Sequence, residues 1–216
     1  MKTITITKSD LDSENKYKKE FIGKWNERED VSVEIEGNLG WVVFEKGVYV
    51  NGSVVAEAGS GIKAGEGIEA GLGIEAGEGI EAGWGIKAGS GIKAGEGIEA
   101  GWGIKAGLGI EAGWGIKAGE GIKAGLGIEA GFGIVSLYSY IKAKLKIEID
   151  ARCKIVAGCF SFYGAQDVEA QEIVGDVIYG VKKLLPKEEV SKSVIGSEVE
   201  VKMNGKVYKE KITSEE

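Results

Sequence analysis

The chain has 216 residues, of which 27 are Lys or Arg and 34 are Asp or Glu, so its formal net charge is −7. This length can bury a core without metal or disulfide support, and the charge balance argues against a general nucleic-acid binder, whose affinity rests on neutralising phosphates. The chain has no histidine, which removes the commonest general base and transition-metal ligand. We therefore expect no enzyme activity, no small-molecule substrate, no metal and no cofactor.

The N-terminal segment and the cysteine content bear on the compartment. Residues 1–19 lack the apolar run of a signal peptide, and no stretch of the chain is long and apolar enough to cross a bilayer. The only cysteines are Cys153 and Cys159, which suits a reducing compartment. We expect a cytoplasmic protein without a membrane contact, located in the host cytoplasm if a phage encodes it.

Residues 1–50 are predicted to form a small α+β cap. A strand is expected over Thr3 to Thr7, which alternates polar and apolar residues. Ser9 or Asp10 is expected to N-cap a helix. The apolar residues that would share one face of this helix are Leu11, Tyr17, Phe21 and Trp25.

Further strands are predicted over Val31 to Ile35 and Trp41 to Phe44. The segment Gly47 to Val55, turned at Asn51-Gly52, is then expected to form the first coil of a repeat structure.

Residues 56–133 are thirteen consecutive six-residue repeats with the pattern Ile-(Lys/Glu)-Ala-Gly-X-Gly. A helix is excluded because each of the two glycines in every six residues would destabilise it by about 0.5–1 kcal/mol. Collagen is excluded because it requires glycine at every third position. In a strand, Ile and Ala share one face and Lys or Glu takes the other, while Gly-X-Gly supplies the backbone freedom to turn a corner. The pattern therefore predicts a β-solenoid with strands about 4.8 Å apart, Ile and Ala inside, and Lys/Glu and X outside.

The identity of residue X favours three repeats per coil and hence a triangular prism over residues 51–164. Three repeats place residues 18 apart in one column, whereas two repeats would match only Glu66 with Glu78 and Trp102 with Trp114. The mid-strand Lys and Glu residues do not discriminate between these two coils. The like residues that three repeats stack are Glu78/Glu96, Trp84/Trp102 and Leu108/Leu126.

Over about residues 50–164 the chain resembles the left-handed β-helix of hexapeptide-repeat proteins. The six-residue period matches, and so does the single aliphatic residue in each unit. That family usually places a small residue two positions before the aliphatic one, whereas this chain places X there. The family's best-known activity, acyl transfer to sugars or amines, uses a catalytic histidine, so the resemblance implies the fold and not the activity.

The six-residue period continues, after a one-residue slip, into degenerate closing coils over residues 141–164. The position of the repeat isoleucine is then occupied by Ile141, Ile147, Cys153 and Cys159. The position of the repeat alanine is occupied by Ala143, Ile149, Ile155 and Ser161. Both cysteines are therefore expected to be buried structural thiols.

Residues 165–216 are predicted to form a C-terminal cap. It contains a strand-like segment, Val174 to Val181, and a hairpin over residues 199–212 whose turn is Asn204-Gly205, the strongest short hairpin signal. The hairpin is expected either to cap the solenoid or to form a small module of its own.

Other chemical motifs have simpler structural explanations. Gly-X-Gly recurs without the helix that a phosphate-binding loop needs behind it. Acidic pairs such as Glu78 and Glu96, and the basic residues Lys142, Lys144, Lys146, Arg152 and Lys154, are expected to be solvated strand faces.

Large apolar residues at the X position are the strongest candidates for a binding site. Exposed apolar groups mark interfaces, and Trp is enriched in interface hot spots. The alternative is that they pack against the caps, against each other or in a self-assembly. These residues are Trp84, Trp102, Trp114, Phe132, Leu72, Leu108 and Leu126.

Two functional hypotheses follow. The first is a non-enzymatic protein that binds a protein or a protein–nucleic-acid complex. The near-identity of the repeats indicates recent duplication, which is common in phage and mobile-element genes, so an inhibitor of a host defence complex, such as an anti-CRISPR protein, is one setting. The second is a structural homo-oligomer, either a trimeric fibre or spike or a scaffold. Ice binding is disfavoured because every mid-strand position is charged.

Overall fold

In the computed structural model the repeats stack and form three parallel β-sheets. The structure describes residues 1–19, 22–24, 27–150, 154–161, 163–186, 198–203 and 206–211. The chain divides into one unit of residues 1–185 and a second unit of residues 186–216. In the first unit each coil contributes one strand to each sheet, so the predicted β-solenoid with a triangular cross-section is confirmed.

The bounds of the strands follow the repeat. The first sheet contains Lys2–Ile6, Val31–Ile35, Val54–Ala56, Ile74–Ala76, Ile92–Ala94, Ile110–Ala112, Gly127–Ala130, Lys146–Ile149 and Glu172–Val174. The second sheet contains Val48–Val50, Ile68–Ala70, Ile86–Ala88, Ile104–Ala106, Ile122–Ala124, Ile141–Lys142, Asp167–Ala170 and Val181–Leu184. The third sheet contains Gly40–Phe44, Ser60–Ala64, Ile80–Ala82, Ile98–Ala100, Gly115–Ala118, Gly133–Ser136, Lys154–Ala157 and Asp176–Tyr179.

The register confirms three repeats per coil. Ile86 pairs with Ile104, and Ala88 pairs with Ala106, so each residue lies beside its equivalent 18 positions away. The same spacing holds in the other two sheets, where Ile92 pairs with Ile110 and Ile98 pairs with Ile116.

The core consists of stacked isoleucine and alanine columns. Every repeat isoleucine from Ile62 to Ile134 is only 0–1 % exposed, and the alanines between them are buried as well. Burial of an aliphatic side chain of this size stabilises the fold by about 1.5–3 kcal/mol. Because each coil adds three such isoleucines, the apolar core grows with every turn, and the predicted inward orientation of Ile and Ala is confirmed.

The backbone hydrogen-bond ladder continues through the corners. At one corner the Gly107 N–H donates to the Ala88 carbonyl at 3.1 Å, and the Leu108 N–H donates to the Ser90 carbonyl at 3.0 Å. Successive corners therefore lie as close together as successive strands. No repeat glycine from Gly61 to Gly133 has a positive φ, so close approach, rather than the expected backbone freedom, is the reason for glycine here.

The two glycines of a repeat differ in the space around them. A Cβ on the first glycine of a corner would meet the carbonyl oxygen of the preceding coil: on Gly107 it would lie 1.9 Å from the Gly89 oxygen. The space at the second glycine depends on the corner: a Cβ on Gly109 would lie 3.7 Å from the Gly127 oxygen, whereas one on Gly103 would lie 3.1 Å from the Gly121 oxygen. The first glycine is therefore the stricter requirement.

The N-terminal segment does not form the predicted helix. Over its described part there is only a 3₁₀ turn, Lys8–Asp10, capped by Thr7, and Leu11 then pairs with Tyr17 in an antiparallel bridge. Phe21 and Trp25 lie outside the described residues.

The physical reason is that the first coil has open strand edges, which an extended segment satisfies and a helix does not. The Tyr17 N–H donates to the Val43 carbonyl at 2.9 Å, and the Ile22 N–H donates to the Gly47 carbonyl at 3.2 Å. Tyr17 and Leu11 are buried, and the Tyr17 ring lies 5.4 Å from that of Phe44. The segment therefore covers the open end of the solenoid as an irregular extra coil.

Ser60 joins this N-terminal segment to the repeats. It occupies an X position but is fully buried, because its hydroxyl donates to the Glu36 carbonyl at 2.6 Å and accepts from the Leu39 N–H at 3.0 Å. It is an exception to the expectation that X faces outward.

The closing coils differ from the predicted phase. Ile141 and Ile147 stack on Ile122 and Ile128 as expected after the one-residue slip. The residue that stacks on Ile134 is Ile155, not Cys153. In a strictly alternating strand, either of the two alternate sets of residues can face inward. The chain inserts two further residues here, so that the larger aliphatic side chain fills the isoleucine column.

The predicted burial of Cys159 is therefore wrong. Cys159 is half-buried in the turn that follows Lys154–Ala157, and Ser161 lies in the same turn. Cys153 lies outside the described residues.

In the second unit, Glu198–Met203 and Lys206–Lys211 form an antiparallel pair, which confirms the predicted hairpin strands. The turn residues Asn204 and Gly205, and Ile212, lie outside the described residues. The part of the chain that the structure describes contains no helix with the length and apolar character needed to cross a bilayer.

We expect Gly107→Ala to destabilise the protein by about 1–3 kcal/mol or more, because its Cβ overpacks the corner. Gly109→Ala should be neutral or stabilise by about 0.4–1 kcal/mol, since it restricts the unfolded chain without a clash. Urea unfolding followed by circular dichroism measures both. Equal losses in the two variants would contradict the assigned role of the first glycine.

Ser60→Ala should cost about 0.5–1.5 kcal/mol, because it removes the hydroxyl that bridges the Leu39 N–H and the Glu36 carbonyl. Ser90→Ala is the matched control, since Ser90 occupies the same repeat position on a half-buried corner. Thermal unfolding of both variants checks this, and a Ser60→Ala protein as stable as the Ser90→Ala control would refute the bridging role.

Candidate interaction surfaces

The seven predicted contact residues lie on three different corners of the prism, so they do not form one patch. All seven are exposed. They stack through their backbones in columns: Trp84 and Trp102 between the third and second sheets, Trp114 and Phe132 between the first and third sheets, and Leu72, Leu108 and Leu126 between the second and first sheets.

Trp84 and Trp102 pack face to face. Their ring centroids are 5.4 Å apart with planes 7° from parallel, and the Trp102 N–H donates to the Trp84 carbonyl at 3.0 Å. The same column continues to Glu66 on one side and Glu120 on the other. Each indole thus gives one face to its neighbour, while Trp102 remains 55 % exposed.

The neutral face is the outward side of the third sheet. Two ion pairs cancel the charges at its centre: Lys63 Nζ lies 2.8 Å from Glu81, and Lys117 Nζ lies 2.6 Å from Glu99. The mid-strand column of this face is Val43, Lys63, Glu81, Glu99, Lys117 and Val135.

The neutral face is bordered by both aromatic corners. Trp114 and Phe132 stand on one edge, 55 % and 64 % exposed, and Trp84 and Trp102 stand on the other. Trp41 lies on this face too, with its ring against Gly61 and Gly79. Neither of the other faces has an aromatic X column on both edges.

The lysine face is the outward side of the second sheet. Four lysines follow one another on adjacent strands, and like charges on neighbouring strands repel. Its mid-strand column is Tyr49, Glu69, Lys87, Lys105, Lys123, Lys142, Glu169 and Lys183.

Carboxylates compensate the lysine face only at its ends. Lys142 Nζ lies 2.9 Å from Glu169, whose hydrogen bond raises the pKa of Lys142, and Lys87 Nζ lies 3.8 Å from Glu69. Among the described residues, no carboxylate lies within ion-pair distance of Lys105 or Lys123. The centre of this face therefore carries uncompensated positive charge.

A groove of about 670 Å³ runs along the lysine face. Trp84, Trp102 and Tyr140 form its apolar wall, and Lys87, Lys105 and Lys123 form its floor. The Tyr49 hydroxyl closes one end, where it accepts from the Gly67 N–H at 3.1 Å, and burial raises the pKa of Tyr49.

The glutamate face is the outward side of the first sheet. Lys93 pairs with Glu111 at 3.0 Å, and that hydrogen bond raises the pKa of Lys93. Within the described chain, Glu75 and Glu129 have no ammonium group at ion-pair distance. The mid-strand column is Val55, Glu75, Lys93, Glu111, Glu129, Glu148 and Val174.

The repeat pattern predicts the exposed corner residues but not, by itself, the different charges of the three faces. Lys and Glu compared at a spacing of 18 along the sequence separate into the lysine column and the glutamate column. Trp41 and Val135 lie outside the perfect repeat pattern and reach the neutral face only through stacking.

Among the described residues, no group of three or more Cys, Asp or Glu side chains is arranged to hold a metal ion. The chain matches no protein-family model, no curated protein and no solved structure.

The stacked Trp84 and Trp102 rings should be energetically coupled by about 0.5–1.5 kcal/mol. A double-mutant cycle of Trp84→Ala and Trp102→Ala in urea unfolding measures this coupling. The control cycle pairs Trp84→Ala with Trp114→Ala on another corner, where the two losses should add to within about 0.3–0.5 kcal/mol. Equal coupling in both cycles would mean that the stack contributes nothing specific.

Proposed function

We propose that this chain is a non-enzymatic binding scaffold that docks a macromolecular partner on its neutral face. The observation that carries the proposal is the position of this face between the two exposed aromatic columns, Trp84 with Trp102 and Trp114 with Phe132. A partner lying flat across the face reaches both columns at once. Large aromatic side chains are the residues that contribute most to protein interfaces.

The chemistry of the face favours a protein surface as the partner. Its central charges are already paired, so it offers no excess positive charge to phosphates, which dominate nucleic-acid affinity. Apolar side chains, namely Trp41, Val43 and Val135, lie beyond the ion pairs. Aromatic anchors with a paired polar centre are typical of interfaces between proteins.

The rigidity of the prism supports this function. The corner residues stand on a backbone whose hydrogen bonds continue from coil to coil at about 3 Å. Side chains held on such a frame lose little further conformational freedom on binding, which lowers the entropic cost of association.

The proposal extends to the biological setting expected from the repeats. Their near-identity supports a rapidly duplicated gene of a phage or mobile element, and inhibition of a host defence complex would need only tight docking. The period and the aliphatic column support a relationship in architecture to hexapeptide-repeat proteins. The lack of histidine in this chain supports a role without acyl transfer.

Affinity capture with the full chain as bait tests the proposal. Lysate from cells that carry the gene should yield proteins that the wild type retains and that Trp114→Ala and Trp102→Ala each release, with retention reduced at least about tenfold, as expected for a hot-spot aromatic. Quantitative mass spectrometry of the eluates measures the retention.

Leu72→Ala and Leu108→Ala are the matched controls, since both remove an exposed apolar corner residue that does not border the neutral face. Both should retain the same proteins as the wild type. Capture that survives both tryptophan substitutions would refute the neutral face as the binding surface.

A further inference from the structure

Two faces of the prism carry complementary charges that ion pairs within the described chain neutralise only in part. The lysine face presents Lys105 and Lys123 without a carboxylate partner, and the glutamate face presents Glu129 without an ammonium partner. Rows of like charge on adjacent strands repel within one copy. A surface with the opposite row relieves that repulsion.

The two charge columns have the same spacing because both are built from the same coils. Each coil places one residue on the lysine face and one on the glutamate face, with about 4.8 Å between coils. A second prism placed alongside therefore meets the first with every charge in register, which an arbitrary acidic surface does not provide.

We infer that copies of this chain associate side by side, with the lysine face of one copy on the glutamate face of the next. The prism axes run in the same direction, and the second copy is displaced along the axis by one coil. This surface is separate from the neutral face of the proposed function, so either inference can fail without the other.

The one-coil displacement follows from the order of the charges. With it, Lys105 of one copy faces the unpaired Glu129 of its neighbour. Lys87 faces Glu111 and Lys123 faces Glu148, and these two carboxylates also pair with Lys93 and Lys146 of their own copy. Glu69 faces Lys93, so the acidic residue that precedes the four lysines is matched with the lysine of the glutamate column. Without the displacement, two like-charged contacts arise, Glu69 with Glu75 and Lys87 with Lys93.

The parallel direction follows from the corners. The second and first sheets share the corner that carries the exposed leucines Leu72, Leu108, Leu126 and Leu145. When the axes are parallel, these corners of the two copies lie on the same side of the interface and meet each other. Leucine then packs on leucine, and exposed apolar surface is removed from water.

Single-stranded nucleic acid fits the lysine face less well. Such binding combines cations with aromatic faces on which bases stack. Here Trp84 and Trp102 cover one another, and Glu66 and Glu120 follow them in the same column. A base approaching the outer ring faces would meet carboxylates.

The contact joins two different faces, so it is not closed by a two-fold axis, and a third copy can add in the same way. Sedimentation velocity should therefore show a mean mass that rises with protein concentration at about 0.1 M salt. It should fall to that of the monomer at about 1 M salt, where charges are screened beyond about 3 Å.

Charge reversal tests the specific pairing. Lys105→Glu alone and Glu129→Lys alone should each weaken association at least about tenfold, because each places like charges opposite one another. A mixture of the two variants should associate again, since each supplies the charge that the other lacks. The double variant Lys105→Glu/Glu129→Lys should also associate.

The double variant Lys105→Glu/Glu111→Lys is the control for the displacement. Glu111 lies in the same coil as Lys105 and does not face it in the inferred contact, so this variant should remain dissociated. Far-ultraviolet circular dichroism should be unchanged in all variants, because every substituted side chain is exposed.

A wild-type protein that stays monomeric at about 0.1 M salt would overturn the inference, as would association that charge reversal does not weaken. Rescue by Glu111→Lys in place of Glu129→Lys would overturn the one-coil displacement.

The alternative that the lysine face binds single-stranded nucleic acid is tested by fluorescence anisotropy with a labelled oligodeoxythymidine. Binding of this probe that Lys105→Glu abolishes, without self-association, would assign the lysine face to nucleic acid instead.

Discussion

The close stacking of corners is the constraint on which the rest of this structure depends. Strands in a sheet must approach to hydrogen-bonding distance, and in a solenoid the turns between them must approach equally closely. At the first glycine of each repeat corner the backbone of one coil comes so near the next that a Cβ would meet a carbonyl oxygen at about 2 Å. Glycine at this position lets one hydrogen-bond ladder run around the whole coil, which satisfies nearly every backbone group without a loop.

That constraint leaves few positions free to carry function. Ile and Ala are committed to the core, and the first glycine is committed to the corner. Variation is confined to the mid-strand residue and to X, both of which point outward over most of the chain. The same stacking that builds the core converts each outward position into a column, so a single residue type becomes a ladder of charge or of aromatic rings. The outward surface of this protein therefore varies by column and by face.

The ends of the solenoid solve a different problem from the middle. At the N-terminal end the first coil leaves strand edges open, and the described part of residues 1–24 covers them with extended chain and the Tyr17 ring. The Ser60 hydroxyl adds hydrogen bonds to the Glu36 carbonyl and the Leu39 N–H. The helical spacing of Leu11 and Tyr17 was misleading because both side chains are buried by an extended segment, in which the Tyr17 ring packs on Phe44. Towards the C-terminal end the chain contains inserted residues between stacked positions. As a result Ile155, rather than the smaller Cys153, fills the isoleucine column.

The sequence by itself determined the repeat, the inward Ile and Ala, the outward Lys, Glu and X, and the three-repeat coil, because strict periodicity converts local strand geometry directly into a global structure. It also determined the hairpin strands near the C-terminus, through alternation around Asn204-Gly205. A spacing of 18 also sets the three corner columns and places Lys105 beside Lys123. Only the tertiary structure decided the stacking outside the perfect repeats: it placed Trp41 on the neutral face, Glu129 beside Glu148 and Ile134 beside Ile155. The reason is physical: paired residues in this solenoid are 14 to 29 residues apart along the chain. Each inserted residue shifts the pairing, so the composition of a face outside the perfect repeats is set by stacking and not by local sequence.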